Sequence, residues 1–292
     1  MPLQAGFEGI LQENVALAPL TWLKVGGTAQ YLAEPASIDQ LQALVRRCAD
    51  EQVPVRLLGG GSNILVRDEC VAGVVVKLSG PEFQTIETSG NRVSAAGGAK
   101  LGHVISIAVR AGLGGLESLV GIPGTVGGAL HGNAGGRGGD IGQWTCGANV
   151  MTRQGEIISR QRDDLAFGYR ESSLDELVIL DAQFELEAED PEELTKRMQK
   201  QWIVKKTNQP LAHQSAGCIF KNPRGMSAAM LIEQAGFKGA SVGRVQVSPR
   251  HANFMVTEQG ANAQEVLQLI QQIREGVADR LGVELETEIV IW

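Results

Sequence analysis

Apolar positions recur at helical spacing in five stretches of the chain. Leu41, Leu44, Val45 and Cys48 follow a Ser37-x-x-Gln40 capping box, which predicts a helix over 37–51. Leu101, Val104, Ile105 and Ala108 predict a second helix that stops at Gly112. A third opens at the acidic, Pro191-containing stretch Glu189–Glu193 and runs to about Lys206, and a short fourth covers Ser227–Gln234. The longest runs from about Ala263 to Arg280, with Val266, Ile270, Ile273, Val277 and Leu281 on one face and Gly282 as its stop. Between the helices, Val53–Leu58, Ile64–Val66, Val74–Leu78 and segments near 147–151, 156–160 and 177–187 read as strands. At the C-terminus Val283, Leu285, Ile289 and Ile291 alternate with Glu284, Glu286 and Glu288, the pattern of a half-buried strand with an acidic face. Gly121–Gly135 reads as one long loop. Strands and helices mixed in this way predict α/β or α+β architecture.

The chain has 292 residues, enough for two or three domains, and the boundary is expected around 190–210. A formal net charge of -7 and 4% aromatic residues leave neither a basic footprint nor a stacking surface for nucleic acid. Cys48, Cys70, Cys146 and Cys218 are scattered without C-x-x-C or paired-histidine spacing, so neither a metal site nor a disulfide framework is expected. Met1–Leu11 has no basic segment followed by an apolar one, and no aliphatic run is long enough to span a bilayer. A cytoplasmic protein with no membrane partner is the expectation. Glycine is the outlier: 37 residues, most of the excess falling in Gly59–Gly61 and Gly112–Gly147. Glycine gathered this way marks backbone that something must approach closely.

Gly59-Gly60-Gly61-Ser62-Asn63 follows a strand, and consecutive glycines let several N–H groups converge on an anion. It lacks the ending of a Walker A loop and the spacing of a Rossmann fingerprint. Read alone, a phosphate loop and a tight glycine turn remain equally open. Gly121–Gly139 interleaves Pro123 with glycines and with Ile122, Val126, Leu130 and Asn133, the composition of a rigid, closely fitting wall. Arg170, beside Tyr169, keeps its charge at every physiological pH and suits a carboxylate or an enolate, while an ion pair with Glu171 or Asp175 is the plainer reading. Lys238, Arg244, Arg250 and His251 form a basic group that suits a diphosphate, or simply a basic surface. In Ser215–Pro223, Cys218 stands between a glycine hinge and Lys221-Asn222-Pro223. It is a proton source if exposed to substrate and a packing residue if not.

Taken in order, these motifs resemble one family. Gly59–Asn63, Gly121-Ile-Pro-Gly-Thr-Val-Gly-Gly128, Asn133-Ala-Gly135, Tyr169-Arg-x-Ser172, Ala216-Gly-Cys-x-Phe-Lys-Asn-Pro223 and His251-Ala-Asn-Phe254 follow the order of the UDP-N-acetylenolpyruvoylglucosamine reductases of peptidoglycan synthesis. The likeness runs from about Leu20 to Glu288, and the His251-Ala-Asn-Phe254 motif resembles the shorter, second subtype, which lacks a tyrosine loop over the substrate. It implies an α+β protein: a vanillyl-alcohol-oxidase-type FAD-binding fold of two subdomains, plus a C-terminal α+β domain that binds substrate. The expected division is an N-terminal extension over 1–16, an FAD-binding domain over 17–190 split near 80, and a substrate domain over 200–292.

By the same resemblance, Gly59, Gly60, Gly61, Ser62 and Asn63, with Ile122, Pro123, Gly124 and Thr125, hold the diphosphate of a non-covalent FAD, and Gly128 and Asn133 lie close to the flavin. Arg170 and Glu288 match the active-site pair, and Cys218 matches the proton donor. Tyr169, Lys221, Asn222, Lys238 and His251 are the expected substrate-binding residues. The implied reaction uses NADPH to reduce UDP-N-acetylglucosamine enolpyruvate to UDP-N-acetylmuramate. Three positions depart from the family pattern. Cys218 replaces the usual serine, and a thiol of ordinary pKa, about 8.5, still carries its proton at neutral pH. Gly132, preceded by His131, stands where methionine is common. Thr257 replaces an asparagine, a change expected to touch only a turn.

Overall fold

The computed structural model describes residues 3–136 and 138–292. Its packing divides the chain into two units whose segments interleave along the sequence. One contains the residues up to Val15, Gln30–Gly60 and Ala72–Ile203; the other contains Ala16–Ala29, Gly61–Val71 and Val204–Trp292.

Two sheets shape the first unit. In one, strands Leu11–Ala16, Thr28–Ala33, Val71–Val76 and Val55–Leu57 lie in that order, the last two parallel. The helix α1 (Ile38–Asp50) contributes Leu41, Leu44, Val45 and Cys48 to the core shared with this sheet. Ser37 caps α1 through its side chain, which accepts from Gln40 N as the sequence predicts. Leu3 and Leu11 are buried in the same core, so the N-terminal stretch is part of the packing.

The other sheet is antiparallel, in the order Ile157–Gln161, Thr145–Met151, Val178–Glu185, Arg92–Ala96, Ile86–Ser89. Its core takes the apolar face of α2 (Leu101–Arg110), where Leu101, Val104, Ile105, Ala108 and Val109 are buried. Fully burying one such aliphatic side chain is worth about 1.5–3 kcal/mol.

The stretch Gly121–Gly135 is not one loop, because Val126–His131 forms a helix, α3. Glycines at 127 and 128 each weaken a helix by roughly 1 kcal/mol, which is why composition argues for a loop. Packing overrides propensity here. Thr125 caps the helix by accepting from Gly128 N, and Val126, Ala129 and Leu130 are buried one turn apart. Gly127 N donates to Gly97 O at 2.8 Å, and a Cβ at 127 would stand 3.1 Å from that oxygen. Helix α4 (Pro191–Asn208) follows and buries only Leu194.

In the second unit, α5 (Ala228–Gln234) and α6 (Ala263–Leu281) pack with a three-stranded antiparallel sheet of Ser241–Val242, Val245–Val247 and Met255–Thr257. Leu23, Val25 and Leu65 belong to the same apolar core as Phe220, Val266 and Ile273. Polar links fix these upstream segments in place. The Asp68 carboxylate accepts from Ala263 N (3.0 Å) and Gln264 N (3.1 Å) at the start of α6, beside the Asn262–Glu265 capping box. Thr257 donates from Oγ1 to Leu23 O at 2.7 Å.

Thr257 therefore corrects an expectation: it is buried within a strand and holds another segment, where the sequence suggested a turn. The acidic C-terminal stretch differs too. It is not one continuous strand, because it changes partner midway. Thr287 bridges antiparallel to Phe220, and Val290–Ile291 then pairs parallel to Ile64–Leu65. Leu285 and Ile289 are buried as the alternation predicts, while Val283 and Ile291 are only half-buried.

Candidate active site

Within the first unit, two glycine-bearing loops meet backbone to backbone. A Cβ on Gly60 would lie 2.7 Å from Gly124 Cα, and one on Gly59 would lie 2.9 Å from Thr125 Oγ1. Side chains are thus excluded from one wall by the other. Gly124 adopts φ +115°, a conformation left to glycine. The loop is braced from below, since Leu101 N donates to Gly124 O and Ile122 N to Leu119 O. The N–H groups of Gly59, Gly60, Gly124 and Thr125 donate to no acceptor among the described residues. Four donors, three of them on glycines, fit an anionic diphosphate, so this chain's residues suit FAD here. Gly128 differs: its N–H is used by the Thr125 side chain.

The Arg170 side of the site is a tight hairpin. Phe167–Gly168 pairs with Glu171–Ser172, leaving Tyr169 and Arg170 as the two turn residues. Arg170 sits at φ +59°, in the left-handed region that bulky side chains avoid. Its guanidinium lies 5.4 Å from the Tyr169 ring centroid and donates from Nη1 to Gly135 O at 3.1 Å. Tyr169 is exposed. Asn133, expected close to the flavin, is 2% exposed, with φ +40°. Its amide donates to Gly168 O (2.7 Å) and accepts from Gly142 N (3.1 Å). His131, on α3, has Nδ1 3.2 Å from Leu174 O.

The second unit brings Cys218, Asn63 and Glu288 onto adjoining backbone. Cys218 bridges to Phe254 on one side, and Gly217 before it takes φ +74°. On the other side Glu288 N donates to Ile219 O at 2.7 Å, and Lys221 N donates to Glu286 O at 2.8 Å. The Asn63 amide donates to Glu288 O at 3.2 Å, and Val290 N returns a bond to Asn63 O. Asn253 underlies this arrangement. Buried at 3% exposure, it accepts from Phe220 N (2.9 Å) and donates to Phe220 O (2.7 Å), while Ile219 N donates to its carbonyl. Sequence reasoning gave Asn253 no role, although it lies inside the His251–Phe254 motif. The signal was an amide among apolar neighbours, which needs buried partners.

The expected substrate residues divide by what they already bond. Lys221 pairs with Glu286 at 2.7 Å, and that carboxylate is largely exposed. Asn222 Oδ1 accepts from Ala228 N at the start of α5. Lys238 pairs with Glu233 at 2.8 Å. Arg250 reaches the carbonyls of Lys206 and Gln209, and Arg244 that of Gln259, so much of the basic group is spent closing backbone ends. His251 packs edge-on against Phe254, its Nδ1 accepting from Asn253 N at 3.3 Å. Burial lowers its pKa, with Lys238 adding to the shift against an opposing backbone hydrogen bond. Among the described residues no three His, Cys, Asp or Glu are disposed to hold a metal ion, and no helix is long and apolar enough to cross a membrane.

Known proteins place these features. Residues 29–160 match an FAD-binding domain, and a berberine bridge enzyme variant shares the fold with a TM-score of 0.52 at 15% identity, over 65% of this chain and 44% of that one. The chain has the fold of vanillyl-alcohol-oxidase-type flavoenzymes, and its FAD-binding domain together with its relatives makes it a flavin-dependent oxidoreductase. Residues 209–292 match the C-terminal domain of UDP-N-acetylenolpyruvoylglucosamine reductase. The enzyme of that name from Listeria innocua is 38% identical over 99% of this chain and 97% of its own. The crystal structure of the Thermus caldophilus enzyme superposes with a TM-score of 0.83 at 38% identity, covering 95% of this chain and 97% of that one. The chain belongs to the UDP-N-acetylenolpyruvoylglucosamine reductase family.

Proposed function

We infer that the chain reduces the enolpyruvyl ether of UDP-N-acetylglucosamine to the lactyl ether, UDP-N-acetylmuramate, at the expense of NADPH. The observation that carries this reading is the backbone pairing of the Cys218 segment with Glu288, inside the domain that matches the family over 209–292. Bound FAD supplies a two-electron carrier between NADPH and the substrate. The residues that fit its diphosphate are Gly59, Gly60, Gly124 and Thr125, with Gly61, Ser62, Asn63, Ile122 and Pro123 completing the two loops.

Hydride addition to the terminal carbon of the enolpyruvyl group leaves negative charge delocalised into the neighbouring carboxylate. Arg170 carries a permanent positive charge, and its guanidinium is already oriented by Gly135 O, so it suits that developing enolate. The adjacent carbon then needs a proton, which the Cys218 thiol donates. Glu288, whose main chain is fixed by Ile219 and Asn63, orients the acid or shares its proton. Lys221 and Asn222 lie beside Cys218 in sequence and suit the diphosphate of the UDP group; Tyr169, Lys238 and His251 are assigned to substrate binding on the motif match.

The test separates the two half-reactions under anaerobic conditions. NADPH should bleach the flavin bands, and the enolpyruvyl substrate should restore them with formation of the lactyl ether. Denaturation should release all the flavin into solution. Arg170→Ala and Glu288→Gln should leave the first half-reaction within a few-fold of normal and slow the second by about 10²–10³. Equal damage to both half-reactions would show that these residues maintain the fold, and flavin retained on the denatured chain would contradict non-covalent binding.

A further inference from the structure

We propose that Asn133 is a positioning residue for Arg170, acting on the enolate-stabilising guanidinium through the hairpin rather than touching the flavin. The assignment rests on the role inferred above for Arg170. Asn133 is 2% exposed, and both ends of its amide are committed inside the unit. Nδ2 donates to Gly168 O at 2.7 Å and Oδ1 accepts from Gly142 N at 3.1 Å. Gly168 is the last hairpin residue before the two-residue turn, so one strong bond fixes the backbone immediately ahead of Tyr169 and Arg170. Two residues beyond Asn133, Gly135 O receives the Arg170 guanidinium at 3.1 Å. The short segment 133–135 therefore restrains the hairpin twice, its backbone at Gly168 through Asn133 and the Arg170 charge through Gly135.

Backbone conformation gives the same picture. Arg170 has φ +59°, which costs a bulky residue of order 1–3 kcal/mol and persists only where surrounding structure over-determines it. The Asn133 bond to Gly168 O is one restraint able to hold the turn there. Asn133 is itself at φ +40°, a region that Asn and Asp tolerate better than other side chains. A residue at 133 must accept that conformation, donate one bond and accept another, and asparagine meets all three demands.

The experiment is a double-mutant cycle on the FAD-loaded enzyme. Asn133→Asp keeps the φ preference and the acceptor for Gly142 N, but it replaces the donor facing Gly168 O with an oxygen. Asn133→Gly keeps the conformation and deletes both bonds. Each should retain FAD stoichiometrically and be reduced by NADPH within about twofold of normal. Each should reoxidise about 10- to 100-fold more slowly with the enolpyruvyl substrate, the scale of a catalytic group displaced by an ångström. The loss should fall on the rate at saturation, with substrate affinity little changed. In an Arg170→Ala background the same substitutions should add no more than about twofold, because the residue they act through is gone.

Independent, multiplying losses would overturn the inference while leaving the role of Arg170 intact. Loss of FAD from Asn133→Asp or Asn133→Gly would return Asn133 to the flavin cradle and overturn it as well. A normal second half-reaction in Arg170→Ala alone would remove the underlying reading, and this inference with it.

Discussion

Adding one methyl group at Gly60 tests whether the two glycine walls hold the FAD diphosphate. Gly60 lies outside the left-handed φ region, so alanine meets no conformational penalty there and the effect is purely steric. Its Cβ would stand 2.7 Å from Gly124 Cα, against about 3.5–4.0 Å for carbon atoms at rest. The obstacle is backbone, so no rotamer change relieves it; the loops must part by roughly 0.8 Å or more. Overpacking of this kind costs about 1–3 kcal/mol. In the apoprotein the loops can separate and shed that strain, but cofactor binding demands the original spacing and restores it. The cost therefore falls on FAD affinity, weakening it by about 5- to 150-fold.

Apoprotein titrated with FAD, followed by flavin fluorescence, gives the dissociation constant. The absorbance ratio of the purified protein gives occupancy. Gly102→Ala is the control: nothing lies within 4 Å of that Cβ, and an alanine inside α2 should stabilise slightly, by about 0.5–1 kcal/mol. A Gly60→Ala enzyme with normal FAD affinity and a lowered melting temperature would refute the reasoning. It would mean that the close approach of the loops matters to folding and not to the cofactor.

Other outcomes follow from single side chains. Cys218→Ser should keep substantial activity and Cys218→Ala should lose reduction of the enolpyruvyl group by about 10²–10⁴, with flavin reduction by NADPH intact in both; near-normal turnover by the alanine enzyme would make the thiol a packing residue. Alkylation of the native protein should spare Cys48, whose buried thiol is pushed up to about 11 mainly by desolvation and secondarily by Glu51, while modification of Cys218 should inactivate and bound UDP-sugar should protect it. Thr257→Val keeps the shape but strips Leu23 O of its donor, for a loss of about 1–3 kcal/mol, whereas Thr257→Ser keeps the bond and loses about one methyl, near 0.8 kcal/mol; chemical denaturation showing the valine protein as stable as the parent would remove that link from the account. His251 has its pKa lowered in the fold, so the unfolded chain binds its proton first as pH falls: stability is complete above about 6.5 and declines below it, until the folded-state pKa is reached. His251→Gln should flatten that part of the melting-temperature profile, and an unchanged profile would show that another group causes the decline.

Element identity was legible wherever periodicity and caps coincided. The Ser37 cap and the four apolar positions of α1, and the Gly282 stop of α6, lie where the sequence places them. Legibility failed where tertiary contacts outvoted local preference. The two glycines of α3 argue against a helix, yet three buried side chains and one threonine cap make it. The C-terminal alternation suggested one strand because alternation does not say which partner each residue pairs with, and the chain switches partners between Thr287 and Val290. The positions of Cys218, Arg170 and Glu288 came from motif order, since a lone thiol, arginine or glutamate has no distinguishing local pattern. Asn253 and Asp68 escaped notice, and Thr257 suggested only a turn, because each acts by bonding backbone far away in sequence, information that spacing does not carry.

The interleaving of the two packing units has a consequence for synthesis on the ribosome. Leu65 pairs with Ile291, and Leu23 and Val25 share a core with Ile273 and Ile289, so their partners are translated roughly 200–270 residues later. At ~5–20 residues per second that is a delay on the order of 10–50 s. Throughout it, these aliphatic positions and the Ile64–Leu65 edge lack their native cover. The second unit can close only after Val290–Ile291 has been made, since Ile291 pairs with Leu65. A ribosome stalled before residues 286–291 would hold a chain with its glycine loops already made and the Cys218 segment without its Glu288 pairing, a species for chaperones to shield and proteases to find.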